Sequence, residues 1–136
     1  MATMIFVNLP VKDLAKATAF YAALGFERNA QFSDENASSF AISDTIHLMV
    51  LAEPFFKTFT KKEVADATRT TEAIVCLSAE SREGVDALVE KAFAAGAGTS
   101  NDPMEEGFMY GRSFQDPDGH LWEVVYMDMS AMPAQD

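Results

Sequence analysis

The sequence predicts an α+β chain built from one strand–helix–strands unit used twice. Three observations predict it. Helix-like stretches end at Gly25 and Gly96, which stand 71 positions apart (96 − 25). Turn-like segments precede the last strand of each half, and their Asp44 and Asp118 stand 74 apart (118 − 44). The order of elements between these marks is the same in both halves, at a period far longer than that of any solenoid.

Taken in order, Ile5–Leu9 reads as a strand. Leu14, Ala17, Tyr21 and Leu24 then recur at helical spacing, with Phe20 widening the stripe. Gly25 stops that helix. Strands are expected at Glu27–Phe32, Ser38–Ser43 and Thr45–Leu51, the last two joined by Ser43-Asp44-Thr45. In the connector, Thr60-Lys61-Lys62-Glu63 fits a capping box opening a short helix to about Ala67. Phe55, Phe56 and Phe59 either cover a sheet edge or form a lid or dimer contact. The second half begins with a strand at Ala73–Leu77. Ser78–Ser81 supplies cap-type residues, and Val85, Leu88, Val89, Ala92 and Phe93 mark a helix face that Gly96 ends. Short strands are expected around Ala97–Thr99, Met109–Gln115 and Leu121–Met127, and Ser100–Gly107 reads as a polar, mobile loop. Asp116-Pro117-Asp118-Gly119 is a turn, because Pro fixes φ while Asp and Gly tolerate a reversal. The reading is a single domain over 1–136, with module one at about 4–52, a connector at about 53–71 and module two at about 72–128.

Composition narrows the function. With 21 acidic against 10 basic residues, the net charge of -11 argues against nucleic acid and anionic membranes as partners. It suits plain solubility or an acidic cleft for a cationic ligand. Cys76 is the only cysteine, so no internal disulfide forms, and no Cys/His zinc spacing exists. No apolar run reaches membrane-spanning length, and Met1–Pro10 lacks a basic start and a cleavage site. The expected location is the cytoplasm.

Three motifs carry a family resemblance: Asn8-Leu9-Pro10-Val11-Lys12-Asp13-Leu14, then Ala19-Phe20-Tyr21 with Leu24-Gly25-Phe26, then Asp116-Pro117-Asp118-Gly119-His120 ahead of Glu123. Through them about Met4–Asp128 resembles the vicinal oxygen chelate superfamily of glyoxalase I, bleomycin-resistance proteins, extradiol dioxygenases and fosfomycin-modifying enzymes. Within it, the chain looks like a branch of predicted lactoylglutathione lyases. The resemblance implies two βαβββ modules forming a curved, mostly antiparallel eight-stranded sheet with a concave ligand cup, in a homodimer. It also implies, in metal-using members, four ligands from the first and last strand of each module. The matching positions here are Phe6, Met49, Ile74 and Glu123. Phe and Ile hold no metal, and Met suits only soft Cu(I). No cofactor is therefore expected, and the chain reads as a small-molecule-binding protein without the usual four-ligand metal site. The alternative is a metal-dependent lyase or isomerase of lactoylglutathione-lyase type. Its Zn, Ni, Fe or Mn ion would need a shifted site from His47, Glu72 and Glu123, since strand alternation puts His47 on Met49's face and Glu72 with Cys76 on Ile74's face.

Glu123 is the candidate catalytic residue. A carboxylate inside an apolar strand is costly unless it meets a cation, a metal or a substrate. Its plain alternative is an ion pair: if Gln115 and His120 close the hairpin, Arg112 faces Glu123 directly. Tyr110 shares Arg112's parity and offers a hydroxyl, and Asn8 is polar in an apolar strand. The ligand-binding candidates are thus Phe6, Asn8, His47, Met49, Glu72, Ile74, Tyr110 and Arg112. Strand parity is expected to turn Phe6, Asn8, His47, Met49, Glu72, Ile74, Arg112 and Glu123 into one concavity. Cys76 reads as a small core residue, His120 as bonded to the turn aspartates, and Trp122 as packed under a helix.

Overall fold

The computed structural model describes residues 2–131. The chain divides into two compact units between Thr70 and Thr71. Unit one runs β1 (Ile5–Val11), α1 (Leu14–Ala23), β2 (Glu27–Arg28), β3 (Ala37–Ala41), β4 (Ile46–Ala52) and the short α2 (Glu53–Phe56). Unit two runs β5 (Ile74–Ser78), α3 (Arg82–Ala94), β6 (Met104–Glu106), β7 (Met109–Gln115) and β8 (Leu121–Met127). Each unit holds one four-stranded mixed sheet, ordered β1-β4-β3-β2 and β5-β8-β7-β6. In both, the first strand runs parallel to the last and the remaining pairs are antiparallel. The expected repeat is therefore present in strand order as well as spacing.

Local chemistry places the helices. The Asp13 side chain accepts from the Lys16 N–H to start α1, and Ser81 accepts from Gly84 N–H to start α3. Gly25 (φ 95°) and Gly96 (φ 104°) turn the chain out of them in the left-handed region. Below α1, Phe20 and Tyr21 pack with the buried Phe40, Leu48 and Val50, and the Tyr21 and Phe40 rings lie 6.0 Å apart. Below α3, Val85, Val89 and Ala92 are buried with Phe114, Trp122 and Val124. Trp122 is fully buried and stacked on Phe114 at 6.2 Å, on the helix side as its parity predicts.

Four expected elements differ. The strand expected at Glu27–Phe32 stops at Arg28, because the Asn29 side chain accepts from Gln31 N–H and starts a 3-10 turn over Ala30–Phe32. No helix follows Thr60: its hydroxyl accepts from Lys62 N–H, two residues on instead of three, which makes a turn and leaves the box unformed. The helical turns of the connector come earlier, in α2 and a 3-10 turn over Lys57–Phe59. Around Ala97–Thr99 there is only a single bridge, Gly98 to Gln115. The strand expected there is instead β6, inside the segment that reads as a loop, because Met104–Glu106 pairs with Met109–Gly111 across a tight return.

Candidate functional site

Each sheet has one face packed by its helix and one face turned away from it, and the register says which residue lies where. In unit one, Phe40, Leu48 and Val50 lie under α1. The opposite parity pairs Phe6 with His47 and Asn8 with Met49. All four thus share the face away from α1. The Phe6 and His47 rings stack at 4.9 Å, with Phe6 53 % exposed. Asn8 turns its amide N–H back to the Phe6 carbonyl at 3.2 Å. The His47 Nε2 atom is buried with no hydrogen-bond partner among the described residues. An imidazole nitrogen in that state is an exception to the usual pairing of buried polar atoms.

In unit two the hairpin register overturns one expectation. Glu123 pairs with Ser113, and Arg112 pairs with Val124. Asp116 is the cause. Its backbone N–H donates to the His120 carbonyl at 3.0 Å, so Asp116 and His120 close the loop rather than Gln115 and His120. Its carboxylate accepts from the N–H groups of Asp118 and His120 at 3.0 and 2.8 Å, and Gly119 takes φ 92°. The slip of one residue turns Arg112 and Tyr110 to the α3 side, away from Glu123. There Arg112 bonds Asp86 at 3.0 Å and Glu90 at 2.8 Å, and the Tyr110 hydroxyl donates to Asp86 at 2.6 Å. The Tyr110 hydrogen bond first, and the Arg112 guanidinium second, hold the Asp86 carboxyl below its usual range. Arg82 lies over the Tyr110 ring at 5.1 Å and pairs with Glu105 at 2.7 Å. Sequence reasoning missed this network. Its visible signal was Arg82, Asp86 and Glu90 at four-residue spacing, which is one helix face.

The face of unit two away from α3 carries Ile74, Cys76, Leu121, Glu123 and Val125, with Gly111 and Ser113 from β7 and Met104 from β6. Cys76 is exposed rather than part of the core, because its parity sets it beside Glu123. Partial desolvation first, and the Glu123 charge second, push its thiol up, so it is a protonated neighbour and not a thiolate. Among the described residues Glu123 makes no hydrogen bond or ion pair. Glu72 is exposed and precedes β5, so strand alternation does not align it with Ile74 as expected.

Three of the four positions that match metal ligands in the resembling family offer no donor suited to a hard or borderline ion. Phe6 presents a ring, Met49 a thioether, and Ile74 a half-exposed aliphatic chain. Among the described residues no group of three or more His, Cys, Asp and Glu side chains is placed to hold a metal ion, the shifted set of His47, Glu72 and Glu123 included. These residues do not fit a divalent metal. The face of unit one carries apolar surface and an orphan imidazole nitrogen, and the face of unit two carries apolar surface and an uncompensated carboxylate.

Comparison with known proteins agrees with the fold. A family model described as Glyoxalase/Bleomycin resistance protein/Dioxygenase superfamily matches residues 3–124. A hypothetical protein from S. aureus is similar over 93 % of this chain and 94 % of its own, at 28 % identity and a TM-score of 0.77. A lactoylglutathione lyase from Agrobacterium tumefaciens has the same fold over 98 % of this chain and 99 % of its own, at 17 % identity and a TM-score of 0.69. TnmS3, an antibiotic binding protein from Streptomyces sp. CB03234, has it over 93 % and 97 %, at 19 % identity and a TM-score of 0.66. No curated protein matches.

Proposed function

This chain belongs to the glyoxalase/bleomycin resistance protein/dioxygenase superfamily, and from that premise we propose that it binds a small organic molecule without a resident divalent metal. The observation that carries the proposal is the chemistry of Phe6 and Met49 in unit one and of Ile74 in unit two, which on each unit's face puts apolar contact surface where metal ligands would stand. Such surface is what organic ligands are held by. The streptomycete neighbour, an antibiotic binding protein, lends support at the level of small-molecule binding.

Calorimetric titration of a panel of aromatic and cationic metabolites tests the reading. Saturable binding of at least one, near one per chain, is the expected result. No saturable binding across the panel by a well-folded protein would overturn it.

The second reading is the lyase, favoured by Glu123 at a ligand position and by the Agrobacterium neighbour. Metal analysis after supplying nickel or zinc, followed by a hemithioacetal assay, decides between them. The expected outcome is substoichiometric metal and no turnover. We also infer a cytoplasmic homodimer that handles neither nucleic acid nor membrane; the net charge of -11 supports the exclusion of nucleic acid and anionic membranes, and among the described residues no helix is long and apolar enough to cross a membrane.

A further inference from the structure

We propose that the face of unit two turned away from α3 holds an organic ammonium group against Glu123, with the ligand's apolar body over Ile74, Leu121 and Val125. This rests on the small-molecule reading above and adds the ligand's charge class to it.

The argument starts from where the positive charges of unit two are. Past Thr70 the sequence holds three Lys and Arg residues, Arg82, Lys91 and Arg112. Arg82 and Lys91 are on α3, and Arg112 reaches α3 to pair with Asp86 and Glu90. The register therefore spends every cation of unit two on the helix side. Glu123 is left on the other face, inside an apolar strand, with no partner among the described residues. A partly buried carboxylate in that position is stabilised by a cation from outside the chain.

The space beside it has the dimensions of a headgroup. A depression of about 70 Å³ is lined by Asp102, Met104, Gly111, Ser113, Glu123 and Val125 together with Asn101 and Arg112, the Arg112 guanidinium being paired with Asp86 and Glu90. That is roughly two to three times the share of liquid volume taken by one water, room for an ammonium and its first carbon. Gly111 keeps it open, since a Cβ there would come within 3.0 Å of Val125 Cγ1. The Ser113 hydroxyl does not compete for the ligand. It donates to the Asn101 carbonyl at 3.1 Å and accepts from the Asn101 N–H at 2.9 Å. That pair of bonds fixes the loop that brings Asp102, a second carboxylate, to the rim.

A bare metal ion is a poor fit, because no third ligand-type side chain joins these two. An anion is a worse one, because Arg112, the one cationic residue in the lining, already has its guanidinium paired with Asp86 and Glu90. The Glu123 charge already reaches its neighbour, helping to raise the Cys76 thiol.

The test titrates phenethylammonium, neutral phenethyl alcohol and phenylacetate into the full chain by calorimetry. The ammonium is expected to bind about tenfold or more tightly than the alcohol, as a charge-assisted hydrogen bond should give. Glu123→Gln, with its near-UV signal from Trp122 unchanged, is expected to bring the two to parity. Added salt is expected to weaken the ammonium alone, which decides the matter in the unaltered protein if the variant folds poorly. Parity in the unaltered protein, or preference for phenylacetate, overturns the inference while the binding itself leaves the small-molecule reading standing. No binding of any of the three overturns the inference, and failure of the broader panel as well removes the reading beneath it.

Discussion

Asp116 is 3 % exposed and holds two backbone N–H groups of its turn on one carboxylate oxygen. Removing that acceptor strands both donors, so Asp116→Ala is expected to cost about 1–3 kcal/mol in urea unfolding. The same residue explains a limit of the sequence. The run Asp116–Gly119 announces a turn, but nothing in it says whether Asp116 or Gln115 closes the loop, and one residue decides which face Arg112 takes. Arg112 and Glu123 are accordingly expected to be additive, within about 0.3–0.5 kcal/mol, in a double-mutant cycle. Arg112→Met and Asp86→Asn are expected to couple by roughly 0.5–1 kcal/mol, modest because Asp86 is 48 % exposed. Asp86 also sets a pH dependence. Its folded pKa lies below the ordinary carboxylate value, so its contribution is present above that value and is lost as pH falls through the folded one. Denaturant midpoints below about pH 4 should therefore fall less steeply in Asp86→Asn than in the unaltered chain.

At the scale of elements, legibility followed the strength of local signals. The last two strands, Met109–Gln115 and Leu121–Met127, carry dense β-prone runs around a turn, and the structure has them with those bounds. The strand at Met104–Glu106 has none of that. It is three exposed residues in a polar loop, held only by pairing with β7, and pairing is not visible in a local window. Glu27–Phe32 failed the other way: a strand does start there, at Glu27–Arg28, but the Asn29 side chain competes for the backbone and turns it. The helix ends were readable because glycine there has a conformational reason. Gly96 sits at φ 104° with nothing within 4 Å of a built Cβ, so crowding is absent and only backbone strain remains. Gly96→Ala is therefore expected to cost about 1–2 kcal/mol, measured by thermal or urea unfolding, although it adds a methyl to open space.

For the whole molecule, the repeat is the feature the sequence carried best and the candidate site the least. Two units of identical strand order follow from capped helices, helix-ending glycines and turn spacing, all of which are local. The site depends on which face each strand shows, and that is settled by register. Assembly follows from the same strand orders. The sheet edges of the two units are β1 with β2 and β5 with β6. β2 and β6 are only two and three residues long, and β1 contains Pro10, and both shortness and proline blunt an edge. β5 has neither protection, and Ile74 at its start is 51 % exposed, as Ile5 and Phe6 at the start of β1 are 55 % and 53 % exposed. Apolar groups repeated at the first strand of both units are surface that the homodimer proposed above would cover. Sedimentation at micromolar concentration is expected to give about twice 14.9 kDa. Each copy carries a net charge of -11, so the copies repel, and added salt is expected to tighten the dimer rather than loosen it. A species of 14.9 kDa alone, at low and at high salt, would leave those strands exposed in solution and contradict the dimer.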